Sequence, residues 1–337
     1  MEEVEETVVL ATEFIPPSVQ DHLSDLHNGI SYPHYSPIPS GITINDANTQ
    51  GTPVVLGVDE AGRGPVIGPM VYGILYLPIE LQQSLLAETH HFDDSKVLTP
   101  LVRARLMQAV CSAGTNLFQS CGWAIKSLSA QDISAGMLKN GGAYNLNAQA
   151  MDATIEVIRG VMARGVNVQE VYVDTIGQPA VYQKKLERIF PTVKITVEKK
   201  ADSLFPCVSA ASVVAKVTRD VSCEVLYSGI SSDRAAEERD QVGWGSGYPS
   251  DARCITWMKA NMDNTFGWGP ECRFSWGTAK DMLELNNQQA KQVAWPDDDK
   301  ENNKLSQYFG VGSVGGVKSE EAELRNWYGT TVGNGFL

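Results

Sequence analysis

The feature that most constrains the fold is a pair of carboxylates placed directly after a short apolar run. Residues 54–58 (VVLGV) form a nearly continuous apolar segment of strand length, and Asp59 and Glu60 follow it at once. A strand of this composition is normally buried on both faces. Because burying unpaired carboxylates is costly, the pair needs a cation or strong hydrogen bonds, and a solvated turn is the alternative.

Two glycines follow the carboxylates, at Gly62 and Gly64. The segment begins like a phosphate-binding P-loop, but Arg63 and Gly64 occupy the positions of the required Lys and Ser or Thr. This difference argues against nucleoside triphosphate binding. Adjacent strand residues point to opposite faces, so Asp59 and Glu60 reach one site only if the chain turns sharply after them. The glycines permit that turn.

Two later strands also run into a carboxylate. Residues 171–173 (VYV) lead into Asp174, and Asp202 follows residues 193–197 and precedes a predicted helix. Functional sites of open α/β sheets collect at such strand ends, and Asp59 lies beside Asp174 if their strands are neighbours. An ordinary aspartate in a loop that leads into a helix is the alternative for Asp202.

These four acids predict a metal site. Hard divalent cations such as Mg²⁺ and Mn²⁺ take oxygen ligands and leave positions open for water and phosphate. In the two-metal scheme, the ions activate the attacking water and stabilise the leaving oxygen of a phosphodiester. A nuclease or another phosphoryl-transfer enzyme is therefore the function that the residues themselves indicate.

Strand and helix patterns alternate along the middle of the chain, which predicts an α/β fold with a mixed central sheet and helices on its faces. The loop between the first two strands is short and favours their antiparallel pairing. Strands are predicted at residues 54–58, 70–77, 117–125, 171–173 and 193–197, and helices at 100–111, 145–163, 179–190, 206–226, 251–262 and 278–285. The expected segments are an acidic, disordered arm at 1–50, a catalytic domain at 51–228, a small, mostly helical subdomain at 229–287 and a flexible tail with a partner-binding segment at 288–337.

The charge of the chain depends on the segment. The formal net charge is −13, which by itself argues against a polyanionic partner. Residues 1–50 hold 8 acids and no Lys or Arg, whereas residues 51–230 hold 16 acidic and 16 basic side chains. If four of those acids share one metal site, the rest of the middle segment is positive, so nucleic acid remains open as a partner.

Cysteine and histidine positions argue against several other chemistries. The 6 cysteines form no C-x-x-C pair, which is typical of reduced thiols in a reducing compartment. The 5 histidines all precede residue 92 and form no zinc-binding motif, so histidine chemistry further along the chain is not expected. No apolar run approaches the roughly 20 residues that cross a bilayer, and a soluble protein is expected.

Short motifs in a fixed order resemble the type 2 ribonuclease H family, also called ribonuclease HII. The motifs lie at residues 57–65 (GVDEAGRGP), 94–96 (DSK), 144–147 (YNLN), 172–174 (YVD), 200–202 (KAD), 209–216 (SAASVVAK) and 245–249 (GSGYP). The resemblance extends from about residue 53 to about residue 280 and is greatest to the catalytic subunits of the eukaryotic heterotrimeric enzymes. It implies a ribonuclease H-like fold.

The resemblance also implies the reaction. Asp59, Glu60, Asp174 and Asp202 match the four acids of the family that bind the two catalytic Mg²⁺ or Mn²⁺ ions. The expected reaction is hydrolysis of the phosphodiester on the 5′ side of a ribonucleotide. The substrates are RNA/DNA hybrids and duplex DNA with single embedded ribonucleotides, and the products carry a 5′-phosphate and a 3′-hydroxyl.

Substrate recognition is implied at further positions. Gly62, Arg63 and Gly64 match a family element whose backbone contacts the 2′-hydroxyl, the group that distinguishes RNA from DNA. Tyr248 matches a tyrosine that stacks on the sugar beside the scissile junction. Other substrate contacts are implied at Lys96, Asn145 and Thr278. A contact with backbone phosphates or a solvated charged face is open for Lys184, Lys185, Lys199 and Lys200.

Partners and location follow from the same resemblance. It implies a nuclear enzyme with two accessory subunits, B and C, that acts in ribonucleotide removal, RNA primer removal and DNA repair. Residues 302–309 (NNKLSQYF) are similar to the Tyr-Phe stretch with which such catalytic subunits touch a partner subunit. They are also similar to a sliding-clamp-binding box, although Asn302 stands where that box has glutamine.

Two rival functions follow from the same fold. Another nuclease of the ribonuclease H-like superfamily would share the sheet and the acids, but it would lack the combination of Gly62, Arg63, Gly64 and Tyr248. A non-catalytic nucleic-acid-binding subunit would be expected to have lost one of the four acids, and this sequence retains all of them.

Overall fold

A mixed β-sheet organises the part of the chain that the computed structural model describes. Its six strands have the spatial order β1-β4-β3-β2-β5-β6. The strands are β1 (Tyr32–Tyr35), β2 (Val54–Ala61), β3 (Met70–Pro78), β4 (Gly122–Leu128), β5 (Val168–Asp174) and β6 (Lys194–Glu198). The described residues are 14–46, 48–92, 98–139, 144–175, 177–232, 243–285, 293–294 and 330–331.

The sheet changes from antiparallel to parallel pairing at β2. The short connection to β3 makes those two strands antiparallel, with Val54 opposite Pro78 and Ala61 opposite Val71, as the sequence predicted. On its other side β2 is parallel to β5, and β5 is parallel to β6. The carboxyl ends of these three strands therefore meet at one edge, where functional groups of α/β sheets gather.

Helices cover both faces of this sheet. In the described residues the α-helices are α1 (Pro17–Gln20), α2 (Leu23–His27), α3 (Pro100–Cys111), α4 (Asn116–Ser120), α5 (Ala130–Met137), α6 (Leu146–Ala163), α7 (Pro179–Ile189), α8 (Pro206–Ser232), α9 (Ala252–Ala260) and α10 (Gly277–Leu285). A π-helical turn (Gln82–Thr89) and a 3₁₀ turn (Ala201–Ser203) complete the helical elements. None of the described helices is long and apolar enough to span a membrane.

The long helix α8 packs directly on the centre of the sheet. A Cβ atom at Gly57 of β2 would collide with the backbone carbonyl of Cys207, so only glycine lets the helix approach this closely. On the opposite face, a core cluster joins Leu56 and Val58 of β2 to Val157 of α6 and Leu186 of α7. Residues of β2 therefore alternate between a face covered by α8 and a face covered by α6 and α7.

The first 50 residues differ from the expected disordered arm. Within residues 14–46, α1 and α2 form, and β1 pairs with β4 at the edge of the sheet. Apolar side chains anchor this segment, because Val19, Leu26 and Tyr32 are buried in the core. The acidic, Pro-rich and Ser-rich composition predicted disorder because it does not reveal the few apolar side chains that become buried. Residues 1–13 lie outside the described part.

One predicted strand is also wrong in its first half. Residues 116–120, which overlap the strand expected at 117–125, form α4, and the Thr115 side chain caps its first turn by accepting a hydrogen bond from the Phe118 N–H. The strand β4 begins only at Gly122. The Thr115 side chain accepts a hydrogen bond from a backbone N–H in the first turn of α4, which stabilises a helix at this point. The apolar pattern alone had favoured a strand.

The contacts within the chain define two units that differ from the predicted boundaries at 228 and 287. The first unit consists of the described residues between 14 and 261 together with residues 268–280. Aromatic packing within it joins Tyr227 of α8 to Trp244 at 5.3 Å and Trp244 to Trp257 of α9 at 5.2 Å. The described residues of the second unit are 262–267, 281–285, 293–294 and 330–331. In that unit Val293–Ala294 pairs with Thr330–Thr331 as a short antiparallel ladder.

Candidate active site at the carboxyl ends of the parallel strands

Three aspartates gather where β2, β5 and β6 end. Val58 lies opposite Val173 in the parallel ladder, so the next residues, Asp59 and Asp174, are neighbours as predicted. Asp202 lies in the 3₁₀ turn between β6 and α8. Asp59 is only 6% exposed and Asp202 only 3% exposed, although both are carboxylic acids. Burial of this kind is rare without a compensating partner.

Glu60 approaches the site from the other face of the sheet. The sequence predicted a sharp turn directly after Glu60, but β2 continues to Ala61 before the chain turns. Asp59 therefore points toward α8, where Ser212 donates a hydrogen bond to it, while Glu60 lines a groove with Tyr72 and Tyr182. Alternation along β2 places the two carboxylates on opposite faces of the sheet, although both lie near the carboxyl end of the strand.

Burial perturbs the protonation of two acids. Loss of solvent raises the pKa of Asp59 to about 7, and the negative charges of Asp174 and Asp202 add to the rise. For Glu60, burial followed by the charge of Asp59 raises the pKa to about 8. Both effects disfavour the ionised form because negative charge is concentrated in a poorly solvated place. A cation bound among these oxygens would remove that penalty.

Backbone donors orient two of the carboxylates. The Glu60 N–H donates to Oδ1 of Asp59 at 2.7 Å, and the Ala201 N–H donates to Oδ1 of Asp174 at 2.9 Å. The second bond joins the end of β5 to the turn that carries Asp202. The carboxylates are therefore held by hydrogen bonds to the main chain, and their remaining oxygens can serve as ligands.

The donor set fits a hard divalent cation in its chemistry. All four predicted ligands offer carboxylate oxygen, which Mg²⁺ and Mn²⁺ prefer, and two of them carry raised pKa values from burial and concentrated negative charge. Across the described residues, no group of three His, Cys, Asp or Glu side chains is already arranged around a single metal position. The four acids thus supply carboxylate oxygens that suit Mg²⁺ or Mn²⁺, but the side chains are not arranged as a complete set of ligands around one position.

The glycine-arginine-glycine loop is fixed from beneath by one buried arginine. Gly62 has a φ of +79°, a conformation that glycine adopts without strain. The fully buried Arg273 donates hydrogen bonds to the loop through Nε, Nη1 and Nη2. Its acceptors are the carbonyls of Gly68 at 3.0 Å, Arg63 at 3.0 Å and Gly62 at 2.6 Å. Burial lowers the pKa of Arg273 to about 9. Because this value is still above neutral pH, the side chain stays charged.

Arg63 and Asn147 line a groove beside the acids. The Arg63 guanidinium donates to Oδ1 of Asn147 at the start of α6. The groove has a volume of about 620 Å³ and is lined by Glu60 and Asp174, together with polar residues of α6 and α7. Lys185 of α7 also lines it. The lining of the groove therefore combines carboxylates with cationic and amide groups.

Tyr248 lies against the glycine loop. A Cβ atom at Gly64 would be 3.0 Å from the Tyr248 ring, and the residue is 40% exposed. The loop that carries it is held because Gly247 O accepts from the Val66 N–H at 2.9 Å and Ser246 O accepts from Arg219 at 2.8 Å. An exposed aromatic face next to a close backbone approach is a suitable surface for a sugar ring.

The three remaining residues predicted to contact substrate are Asn145, Thr278 and Lys96. Asn145 lines the groove and caps α6, since its Oδ1 accepts from the N–H groups of Asn147 and Ala148. Thr278 lies at the second position of α10, two residues after Trp276, whose Nε1 donates to Gly64 O at 3.0 Å. Lys96 lies outside the described residues.

Four residues that shape the site were not predicted from the sequence. They are Ser212, which bonds Asp59, Asn147, which bonds Arg63, and the two buried arginines Arg219 and Arg273. Ser212 and Asn147 belong to motifs that the resemblance had already marked, so the motifs were a usable signal. Arg219 and Arg273 are single basic residues, whose burial no local pattern indicates.

The mixed sheet with this strand order and flanking helices defines an α/β protein of the ribonuclease H-like class. A family model described as Ribonuclease HII matches residues 56–279, which is more than half of the chain. The chain belongs to the ribonuclease HII family.

Similarity to individual proteins extends beyond the shared motifs. The ribonuclease H2 A subunit of Neurospora crassa is 53% identical over 326 residues, covering 96% of this chain and 96% of that protein. The crystal structure of ribonuclease H2 from Pyrococcus horikoshii has a TM-score of 0.55 and 28% identity, covering 69% of this chain and 98% of that one. A ribonuclease HII solved in complex with PCNA from Archaeoglobus fulgidus has a TM-score of 0.51 and 26% identity, covering 66% of this chain and 94% of that one.

Proposed function

We propose that this chain is the catalytic subunit of a type 2 ribonuclease H. Membership of the family makes it an endoribonuclease that acts on RNA/DNA hybrids. The proposal adds that it cleaves on the 5′ side of ribonucleotides, including single ribonucleotides in duplex DNA. One observation carries it: three aspartates at the carboxyl ends of β2, β5 and β6, two of them buried, lie beside a glycine loop and an exposed Tyr248 ring.

Divalent metal is the cofactor that the family implies, and we assign its ligands to the four acids. Asp59, Glu60, Asp174 and Asp202 would hold Mg²⁺ or Mn²⁺, two ions in the reactive complex. When bound, the ions would supply Lewis-acid stabilisation of the charge that develops on the phosphodiester oxygens. Ser212 and the Ala201 N–H would keep two of the carboxylates oriented throughout the reaction.

Recognition of the ribonucleotide falls to the loop formed by Gly62, Arg63 and Gly64. Its glycines let the main chain approach the sugar closely, and the 2′-hydroxyl can both donate to and accept from backbone groups. Arg273 fixes the loop before substrate arrives, so little ordering is required on binding. Tyr248 would stack on the neighbouring sugar and favour deoxyribose there.

A duplex DNA with one embedded ribonucleotide tests the function directly. We expect Mg²⁺-dependent cleavage on the 5′ side of that ribonucleotide, with a 3′-hydroxyl and a 5′-phosphate on the products. The same duplex with deoxyribose throughout is the control and should remain intact. Cleavage of both duplexes would favour another nuclease of the superfamily, and binding without any cleavage would favour a non-catalytic role.

The Tyr248→Ala substitution should separate junction recognition from hydrolysis. The proposed role of the ring is to stack on the sugar beside the scissile junction, so we expect cleavage at a single embedded ribonucleotide to fall about tenfold more than cleavage within a continuous RNA strand. Measuring kcat/KM on both substrates checks this ratio. Equal losses on the two substrates would remove Tyr248 from junction recognition.

Lys185 should contact a backbone phosphate, whereas its neighbour Lys184 should not. Both residues lie on α7, but only Lys185 lines the groove that contains Glu60 and Asp174. With Lys185→Ala, the negative slope of log affinity against log salt concentration should become less steep by about one. Lys184→Ala is the matched control and should keep the parental slope. The same slope in both variants would place Lys185 outside the phosphate path.

We further propose two accessory subunits, B and C, and a nuclear location. The support is the high similarity to the A subunit of a fungal ribonuclease H2, a name that implies an assembly of several different chains. Residues 302–309 lie outside the described part, and we assign them to docking on one of these accessory proteins. The second assignment is a sliding-clamp contact, supported by the archaeal relative solved with PCNA. Mass measurement of the complex from its native source tests both.

A further inference from the structure

The turn before Asp202 contains a residue in a disfavoured backbone conformation. Lys200 has a φ of 58° and a ψ of 39°, in the left-handed region that side chains bearing a Cβ rarely adopt. His91 is the other non-glycine residue with positive φ among the described residues. Such outliers persist only where the surrounding structure holds them, and they cluster at functional sites.

The position of Lys200 connects it to two of the predicted metal ligands. The next residue along the chain, Ala201, donates its N–H to Oδ1 of Asp174 at 2.9 Å. Asp202 is the residue after that and is buried. A change of backbone angles at Lys200 would therefore rotate the donor that orients Asp174 and displace Asp202 at the same time.

The surrounding contacts show how the conformation is held. Thr175 donates its N–H to Glu198 O at 3.1 Å, which ties the ends of β5 and β6 together just before the turn. Lys200 O accepts from the Ser203 N–H at 3.0 Å, and Ala201 is fully buried. The turn is thus fixed on both sides of Lys200, while the Lys200 side chain itself is exposed.

We propose that Lys200 is a positioning residue whose left-handed backbone, rather than its ammonium group, sets the relative placement of Asp174 and Asp202. The inference rests on the assignment of these acids as metal ligands in the proposed function. It predicts that residues tolerant of positive φ will preserve the site, and that residues hostile to it will damage the site, whatever their charge.

The test compares three replacements at Lys200 with matched replacements at the adjacent, also exposed Lys199. Lys200→Gly and Lys200→Asn tolerate the left-handed region, whereas the β-branched Lys200→Val does not. Lys199→Gly and Lys199→Val remove the same charge at a residue outside that conformation. The readouts are Mn²⁺ binding to the substrate-free protein by calorimetry, the thermal midpoint, and kcat on a hybrid substrate.

We expect Lys200→Gly and Lys200→Asn to bind Mn²⁺ within about twofold of the parent. Lys200→Val should bind it about tenfold more weakly, the size of effect typical of lost support around a metal ligand. Lys200→Gly should also raise the thermal midpoint, since it relieves the strain, while Lys199→Gly should not raise it. Both Lys199 variants should keep the parental Mn²⁺ affinity.

Three results would overturn the proposal. Equal loss of Mn²⁺ affinity in Lys200→Gly and Lys200→Val would assign the role to the ammonium group. Parental affinity in a folded Lys200→Val would show that the conformation is irrelevant to the site. If Lys200→Val does not fold, a thermal midpoint of Lys200→Gly no higher than that of Lys199→Gly decides against the proposal. Failure of the proposed function would appear separately, as absence of cleavage by the parental protein.

Discussion

Asp174→Asn is expected to lower cleavage of a hybrid substrate about a thousandfold, because losing one carboxylate charge from the proposed metal site would remove several kcal/mol of transition-state stabilisation. The fold should survive. The amide oxygen of the replacement can still accept the Ala201 N–H that now donates to Asp174 at 2.9 Å. The prediction is checked by single-turnover cleavage rates together with circular dichroism and the thermal midpoint.

Glu170→Gln provides the matched control on the same strand. Glu170 is a carboxylate of β5 that pairs with Lys194 at 3.1 Å near the other end of the strand. Its neutralisation removes the same charge from the protein without touching the site, so activity should be close to parental. Near-parental turnover in Asp174→Asn, or an equal loss in both variants, would contradict the role assigned to Asp174.

Arg273→Met is expected to cost about 3–5 kcal/mol in the free energy of unfolding, since it leaves three loop carbonyls without their buried donors. The methionine side chain is also long and unbranched but cannot donate to Gly62, Arg63 and Gly68. Urea unfolding measures the loss. Because Gly62 and Arg63 belong to the loop that we propose contacts the ribose, discrimination between ribose and deoxyribose should also weaken in the protein that remains folded.

Arg253→Met is the control for Arg273→Met. Arg253 is an exposed arginine whose ion pair with Asp251 at 2.9 Å is screened by solvent. We expect a far smaller change in unfolding free energy and no change in ribose discrimination. If the two arginine variants were equally stable, the three hydrogen bonds from Arg273 would not fix the loop.

Sequence patterns predicted the central part of the fold well because they depend on local physics. The apolar run before Asp59 is buried as a strand, and a short connection makes it antiparallel to β3. The run before Asp174 is its parallel neighbour, which places the two acids side by side. The apolar period and the short loop were sufficient for β2 and β3, but the sequence left open whether β2 and β5 are neighbours.

Other features depended on contacts between distant parts of the chain and could not be read locally. Arg273 reaches a loop about 200 residues earlier in the sequence, and nothing in its own segment indicates burial. The strand β1 forms because Tyr32 and a few other apolar side chains find the main core from a polar segment. The left-handed turn at Lys200 likewise follows from tertiary constraint, since lysine has no preference for that conformation.

The N-terminal strand also affects how the molecule can associate with others. Without β1, the outer backbone groups of β4 would be unpaired along an exposed border, which invites another polypeptide to add a strand there. The strand β1 is only four residues long and contains Pro33, whose nitrogen cannot donate a hydrogen bond. The strand β1 thus covers the edge of the sheet. Removing the residues before the family motifs would expose the β4 edge and favour association with other chains.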